Sequence, residues 1–275
     1  EKSAFRTKDG MYEWVVMPMG LVNAGSTFQR TMCNIFSDLI GKSVLIYLDD
    51  VIIFSKSVTE HTQHLKEVLE RLSQHGLTCK LSKCEFYKSK LEFLGHEISA
   101  EGIRPSDHLV EKIKNCKAPA NVTGVRHFLG LTGYYRRFVL KYAHTAQPLN
   151  TKLQKGTKWG WNDTDQSAFE QLRDKLVTKP VLRHPDYTRP FTLYCDASDL
   201  AIGGVLTQKD DDGAEHPVYY LSRVLQPPEL NYSIPEKECL AVIYCLRLCR
   251  PYISGTHITV VTDATSVAQL LDTQK

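Results

Sequence analysis

The sequence predicts a mixed protein of the α+β or α/β class, with a mainly helical middle segment between two parts that contain β-strands. Three observations support this class. Alternating apolar and polar runs flank turn residues near both ends, apolar residues recur at helical spacing over residues 107–155, and the composition changes at residues 153–165, LQKGTKWGWNDTD. With 275 residues, 42% of them hydrophobic, the chain is long enough for about two domains.

Composition narrows the class of protein. No apolar run approaches the roughly 20 residues that a membrane span requires, and no signal peptide opens the sequence. The eight cysteines lack the C-x-x-C spacing typical of zinc or redox sites. We therefore expect a soluble intracellular protein with reduced thiols and no membrane partner.

Basic residues are concentrated in the middle of the chain. Residues 80–155 carry 14 Lys and Arg against 6 Asp and Glu, whereas residues 156–275 carry 12 against 16. A basic balance of this size suits contact with a phosphate backbone. The alternative is a solvated helical surface, which is the commoner origin of such a cluster.

Local signals predict the order of elements. In the first part these are a hairpin around Lys8-Asp9-Gly10, a helix over 23–39, two apolar runs flanking Asp49-Asp50, and a helix from the capping box Ser57–Glu60 to Gly76. They continue with a short strand over Phe93–Ser99, helices within 107–155, a helix over Asp165–Val177, three strands with a turn at Asp210–Gly213, a helix over Pro235–Arg250, and a last strand in HITVVTDA.

Two groups of acidic residues are candidates for chemistry. A hairpin turn that exposes Asp49 and Asp50 can hold hard divalent cations, and two such ions stabilise the attacking and leaving oxygens of phosphoryl transfer. On the residues alone, an Asp-Asp pair in a turn is more often only a turn. Both interpretations stay open at this point.

The second group comes from three separate elements. Asp196 ends one predicted strand, Asp263 ends another, and Glu238 lies on the helix between them. Glu238 shares a helical face with Ala241, Val242 and Cys245, which predicts that its carboxylate points toward the sheet. The three acids converge on one metal site or are three independent surface charges, and the sequence leaves both open.

Seven motifs occur in order over nearly the whole chain: AFRTKDGMYEWVVMPMGLVNAGSTFQ, IYLDDVIIFS, KCEFYKSKLEFLGHEIS, HFLGLTGYYRRFV, FTLYCDASDLAIGGVL, YSIPEKECLAVIYCL and ITVVTDA. The first four resemble the reverse transcriptase of gypsy-like long-terminal-repeat retrotransposons. The last three resemble the ribonuclease H domain that follows the polymerase in those Pol polyproteins.

The resemblance implies a division into three parts. Residues 1–100 would be a polymerase palm without its fingers, residues 101–155 a helical thumb, and residues 156–275 a ribonuclease H-like mixed-sheet domain. In the family, the first palm aspartate lies upstream of the matching segment and a fourth ribonuclease H acid lies downstream. We therefore expect an internal piece of a longer polyprotein, inactive or weakly active alone, whose parent is an RNA-directed DNA polymerase with ribonuclease H activity.

The resemblance also assigns residues in the polymerase part. Asp49 and Asp50 match the second and third palm carboxylates, and Asp49 is the favoured direct metal ligand. Gly25 stands where proline is common, which we expect to loosen the turn there. The positions that match nucleotide- and primer-binding motifs are Met19, Gly20, Asn23, Phe28, Tyr47, Leu48, Leu94, Gly95 and His96.

In the second part, Asp196, Glu238 and Asp263 match three of the four acids that bind metal in the ribonuclease H family, with Glu238 preferred over Glu236. The implied cofactor is Mg²⁺, or Mn²⁺ in its place, with two ions per complete site. The implied partners are an RNA template, a DNA primer, an RNA–DNA hybrid and deoxynucleoside triphosphates. The element's life cycle implies a cytoplasmic particle with access to the nucleus.

A second hypothesis comes from a different class: a retroelement-derived protein that binds nucleic acid without catalysis. The acids retained at both sites argue against it, because a binding module has no use for them. A stand-alone ribonuclease H would leave the ordered palm motifs unexplained.

Overall fold

The computed structural model describes residues 3–18, 20–265 and 267. The chain divides into two compact units, Glu1–Lys88 and Ser89–Lys275. Family-implied boundaries at residues 100 and 155 stay predictions.

Over its described residues, the first unit combines two antiparallel hairpins with two α-helices. Its elements are β1 (Phe5–Thr7), β2 (Gly10–Tyr12), α1 (Ala24–Ile35), β3 (Val44–Tyr47), β4 (Asp50–Ile53) and α2 (Val58–Gln74). β1 pairs with β2, and β3 pairs with β4. Both predicted hairpins are confirmed, although the first turn is only Lys8-Asp9, because Gly10 of β2 already pairs with Thr7.

Local signals set the helices of this unit. α2 begins after Ser57, whose side chain accepts a hydrogen bond from the Glu60 amide at 3.2 Å. α1 ends at Ile35, earlier than the predicted residue 39, because the chain turns after Phe36, whose carbonyl accepts bonds from the amides of Leu39 and Ile40. A small core joins α1, α2 and β3 through Met32, Phe36, Val44, Val68 and Leu72.

The second unit contains two sheets and five α-helices over its described residues. Its elements are β5 (Lys90–Phe93), β6 (His96–Ser99), β7 (Gly102–Pro105), α3 (Asp107–Lys114), α4 (Val122–Tyr134), α5 (Tyr142–Thr151), α6 (Asp163–Val177), β8 (Phe191–Ala197), β9 (Ala201–Lys209), β10 (Glu215–Val224), α7 (Ile234–Ile253) and β11 (Ile258–Val261). β5, β6 and β7 form an antiparallel sheet. The other sheet has the order β10-β9-β8-β11, with β11 parallel to β8 and the remaining pairs antiparallel.

One predicted element is wrong. The segment Phe93–Ser99 is not a single strand, because Leu94 and Gly95 both have positive φ, 48° and 73°, and form the turn between β5 and β6. In a two-residue hairpin, two left-handed residues give the turn a twist that matches the twist of the flanking strands. The glycine that suggested a close backbone approach therefore lies in this turn.

Helices α3, α4, α5 and α6 share one hydrophobic core. Phe128 of α4 lies 4.5 Å from Phe169 of α6 between ring centroids, and Ile113, Leu149 and Leu172 are fully buried beside them. α6 begins at a capping box in which the Asn162 and Asp165 side chains and amides bond reciprocally. α6, which the resemblance assigns to the ribonuclease H-like domain, thus packs against helices that the resemblance assigns to the thumb.

The larger sheet is covered by α7. Phe191, Leu193 and Ile202 on the sheet are buried with Ala241 and Cys245 on the helix. The predicted apolar face of α7, which includes Glu238, is confirmed as buried. Across the described part of the chain, no helix has both the length and the apolar composition that a membrane crossing needs.

Candidate active sites

A two-residue turn presents the Asp49-Asp50 pair. Tyr47 pairs with Asp50 across the hairpin, so Leu48 and Asp49 form the turn between β3 and β4. Leu48 has a φ of 53°, a conformation that costs a residue with a β-carbon about 1 kcal/mol. Both aspartates are exposed at the tip. The hairpin turn is thus the feature that exposes the two carboxylates.

Gln29 of α1 holds this turn from one side. Its Oε1 accepts a hydrogen bond from the Leu48 amide, and its Nε2 donates to the Ile46 carbonyl at 3.2 Å. One amide side chain therefore binds the last strand residues and the strained turn together. Sequence reasoning missed Gln29, although a polar residue directly after the NAGSTF motif was an available signal.

We expect Gln29→Ala to loosen the turn. Because both hydrogen bonds are lost, the free energy of local opening should fall by roughly 1–2 kcal/mol. Amide hydrogen exchange read by mass spectrometry would show this as faster exchange over residues 46–50. The exposed Gln63 of α2 offers the control Gln63→Ala, which should leave that segment unchanged. Equal exchange in both variants would contradict the role of Gln29.

The positions matched to the nucleotide motif have different environments. Met19 lies outside the described residues, Gly20 is exposed, and Asn23 precedes α1 as its N-cap without a side-chain cap bond. Phe28 is half-buried against the core of the first unit. The expectation that Gly25 loosens a turn is wrong, because α1 already includes Gly25.

The Leu94-Gly95 turn is held by two consecutive tyrosines. Tyr134 Oη donates to the Leu94 carbonyl at 2.9 Å, and Tyr135 Oη donates to the Gly95 carbonyl at 2.7 Å. Burial raises the pKa of Tyr135 to about 12, so its hydroxyl keeps its proton. Sequence reasoning read this pair only as part of an aromatic and basic mixture. The turn that these tyrosines bind lies 40 residues earlier, and no residue near it in the sequence predicts the contact.

His96 lies beneath that turn. Its imidazole Nδ1 is 2.9 Å from the Leu94 carbonyl, and its ring contacts Tyr134, Tyr135 and Phe138 at centroid distances of 5.5, 5.2 and 5.6 Å. Burial, and then the charge of Arg137, lower the pKa of His96, so the ring is neutral at pH 7. His96 therefore supports the turn, whereas Leu94 is exposed above it. Contact with a primer strand stays a prediction for all three residues.

The second acidic group lies at one edge of the larger sheet. Asp196 is near the end of β8 and Asp263 follows β11, and these two strands are parallel neighbours. Glu238 of α7 is 5% exposed, and its Oε1 accepts a hydrogen bond from the Ala197 amide at 3.2 Å. Its Oε2 is buried without a hydrogen-bond partner among the described residues.

The charges of Asp196 and Asp263 act on the Glu238 carboxylate. Burial is the largest cause that raises the pKa of Glu238; the bond from the Ala197 amide opposes it, and the charges of Asp263 and Asp196 add to the rise. Glu236 has a different task, because its carboxylate accepts from the Ser233 amide and hydroxyl, both at 2.8 Å, and caps α7. Glu238 is thus the acid of this helix that faces the sheet.

The side chains of Asp196, Glu238 and Asp263 are not arranged as a metal cage. Over the residues that the structure describes, no group of three or more His, Cys, Asp or Glu is placed to hold a metal ion. The Asp196 carboxylate has an ion-pair partner instead, because its Oδ2 lies 2.6 Å from the Lys141 ammonium. Sequence reasoning missed Lys141, which appeared only within the basic excess of residues 80–155.

Two family models match the chain. Residues 2–98 match a family described as reverse transcriptase (RNA-dependent DNA polymerase), and residues 161–260 match an RNase H-like domain found in reverse transcriptase. Among curated proteins, the retrovirus-related Pol polyprotein from transposon 297 of Drosophila melanogaster is 43% identical over 95% of this chain. The transposon Tf2-3 polyprotein of Schizosaccharomyces pombe is 40% identical over 93% of it.

The chain spans 24% and 19% of the length of those two relatives. Solved structures share the fold at lower identity. A foamy viral protease-reverse transcriptase in complex with double-stranded DNA has a TM-score of 0.84 at 22% identity, covering 98% of this chain and 47% of that one. The same kind of protein in complex with an RNA/DNA hybrid has a TM-score of 0.80 at 23% identity, covering 99% of this chain and 37% of that one.

These matches follow the motif order in the sequence, from a polymerase segment to a ribonuclease H-like segment, and confirm the resemblance. The chain carries a reverse transcriptase segment followed by an RNase H-like domain, and over nearly its whole length it is similar to transposon Pol polyproteins.

Proposed function

We propose that this chain supplies two sites of phosphoryl transfer to a retrotransposon Pol polyprotein, one for RNA-directed DNA synthesis and one for cleavage of RNA in an RNA–DNA hybrid. One observation carries the proposal most directly. The buried Glu238 carboxylate has an oxygen without a partner, and Asp196 and Asp263 lie close enough to raise its pKa further. A buried acid whose pKa is raised by burial and by neighbouring acids is typical of functional sites.

The unpartnered Glu238 oxygen supports a divalent cation at the ribonuclease H-like site, although the three acids do not form a metal cage in the described part of the chain. A buried carboxylate oxygen without a donor is costly, and a cation is the partner that removes this cost for several acids at once. Mg²⁺ or Mn²⁺, two ions in the complete site, would stabilise the attacking and leaving oxygens of the phosphodiester. Asp196, Glu238 and Asp263 would be the ligands, and the Ala197 amide keeps Glu238 oriented. Families of this kind generally use divalent metals.

At the polymerase site, Asp49 and Asp50 would be metal ligands at the tip of the β3–β4 hairpin. Gln29 fixes the turn, so the two carboxylates keep their spacing when a nucleotide arrives. The Leu94-Gly95 turn, held by Tyr134 and Tyr135, would position the primer strand. The implied substrates are an RNA template, a DNA primer and deoxynucleoside triphosphates.

The proposed partners are nucleic acids. The foamy viral enzymes with the same fold are in complex with double-stranded DNA and with an RNA/DNA hybrid. The basic residues between positions 80 and 155 suit phosphate contacts, which fix register without reading sequence. An RNA–DNA hybrid is the proposed ligand of the second unit, where 2′-hydroxyls identify the RNA strand.

The test of the ribonuclease H-like site is metal binding by the 275-residue chain. Titration with Mn²⁺, followed by electron paramagnetic resonance of the free ion, should reveal a site that Glu238→Gln weakens about tenfold or more, because a ligand charge is lost. Glu236→Gln is the matched control, since Glu236 caps the same helix two residues away. It should keep the wild-type affinity.

The outcomes separate the two classes of function. Equal Mn²⁺ affinity in wild type and Glu238→Gln would overturn the assigned site. Binding of a labelled RNA–DNA hybrid without any site-specific Mn²⁺ binding would favour the alternative, a retroelement-derived protein that binds nucleic acid without catalysis.

A further inference from the structure

Lys141 contacts the acidic group of the second unit. It is the residue before α5, with a φ of 54°, and its Nζ lies 2.6 Å from Asp196 Oδ2. A left-handed conformation in a residue other than glycine is strained, and such strain persists only where neighbouring contacts determine the backbone. The backbone conformation at the start of α5 therefore determines the direction of the Lys141 side chain.

The start of α5 is anchored to the sheet that carries Asp196. The Ala143 amide donates to Ser222 Oγ of β10 at 3.0 Å, and the Arg136 guanidinium donates to the Ser222 carbonyl. Ser222 is buried. These bonds place Lys141 over the edge of the sheet where the carboxylates gather.

A cavity of about 330 Å³ opens beside the ion pair, with Lys141, His144, Asp196 and Ser198 among its lining residues. The side chains of Lys141 and Asp196 remain 62% and 47% exposed. Solvent reaches the pair, so its net strength is that of a surface ion pair. A contact of this strength can be displaced.

We propose that Lys141 is an internal cation of the ribonuclease H-like site, which occupies the Asp196 carboxylate and competes with a divalent metal ion for it. The charges support this assignment. The ammonium neutralises Asp196, while the Glu238 Oε2 oxygen, buried on the same edge, has no partner among the described residues. Lys141, which lies in the helical segment over residues 107–155, thus neutralises part of the negative charge of the site. The inference rests on the metal-binding function proposed for Asp196, Glu238 and Asp263.

The test is the Mn²⁺ affinity of Lys141→Met, which keeps the length of the side chain and removes its charge. Because an exposed ion pair contributes up to about 1 kcal/mol, its loss should tighten Mn²⁺ binding roughly two- to fivefold. Lys141→Gln should give the same gain, and Lys141→Arg should keep the wild-type affinity. The measurement is the same resonance titration of the free ion, together with the melting temperature of each variant.

Lys179 offers a matched control in the same unit. It also has a left-handed backbone, with a φ of 52°, and its Nζ lies 2.7 Å from an exposed carboxylate, Asp107 Oδ1. Lys179→Met should leave the Mn²⁺ affinity unchanged.

The results distinguish this inference from the function on which it rests. A wild-type site that Glu238→Gln weakens, with the same affinity in Lys141→Met, would overturn the role of Lys141 alone. The absence of site-specific Mn²⁺ binding from both wild type and Lys141→Met would overturn both proposals. If Lys179→Met tightened Mn²⁺ binding as much as Lys141→Met, the gain would come from the change in net charge alone. That result would also overturn the role of Lys141.

Discussion

Gly204→Ala should lower the free energy of unfolding of the second unit by roughly 3 kcal/mol or more, which reduces its folding equilibrium constant about a hundredfold. Gly204 lies on β9 between the paired strands β8 and β10. A β-carbon there would be 2.3 Å from the Tyr194 carbonyl oxygen and 2.9 Å from Cys245 Sγ of α7. Neither neighbour can move away without a large cost in free energy, because one is backbone in a central strand and the other is a buried side chain.

Urea unfolding of the 275-residue chain, followed by circular dichroism, measures this loss as a lower midpoint. Gly130→Ala in α4 is the control with the opposite expected sign, because the space around that position is open. It should raise stability by roughly 0.5–1 kcal/mol through helix propensity. A Gly204→Ala midpoint equal to wild type would show that α7 does not pack on the sheet at this distance.

Gly95→Ala should destabilise the β5–β6 turn by roughly 2–3 kcal/mol, from two costs. An alanine at a φ of 73° costs about 1 kcal/mol in backbone energy. Its β-carbon would also lie 2.5 Å from Tyr135 Oη, so the buried tyrosine must move and give up its bond to the Gly95 carbonyl.

A double-mutant cycle with Tyr135→Phe separates these costs. Tyr135→Phe alone should lose about 1 kcal/mol of stability, and Gly95→Ala in that background should cost only the backbone part, so the two changes are less than additive. Gly213→Ala is the matched control, because Gly213 has a φ of 79° and open space around it. Additive effects of Gly95→Ala and Tyr135→Phe, measured by urea unfolding, would contradict the contact.

The sequence could predict the elements whose determinants are local. Ser57 caps α2, the Asp210–Gly213 turn joins β9 to β10, and the spacing of Glu238, Ala241 and Cys245 identifies the buried face of α7. In each case the residues that decide the structure are within a few positions of one another. The family resemblance then supplied the polymerase and ribonuclease H-like order, which the comparisons confirm.

The contacts that shape the candidate sites could not be predicted in the same way. Gln29 acts on a turn 19 residues later, Tyr134 acts on one 40 residues earlier, and Lys141 reaches Asp196 across the composition break. The single strand predicted over Phe93–Ser99 failed because leucine at position 94 gives no sign of a left-handed backbone. Such features depend on tertiary packing, which overrides propensity.

The shared core of α3 to α6 determines what a cut between α5 and α6 would release. Residues 154–160, between α5 and α6, are exposed and accessible to a protease. A cut there would fall between two helices that pack on each other through Leu149, Phe169 and Leu172. The two products would stay associated as a nicked pair, so proteolysis at this loop would not release a free ribonuclease H-like domain.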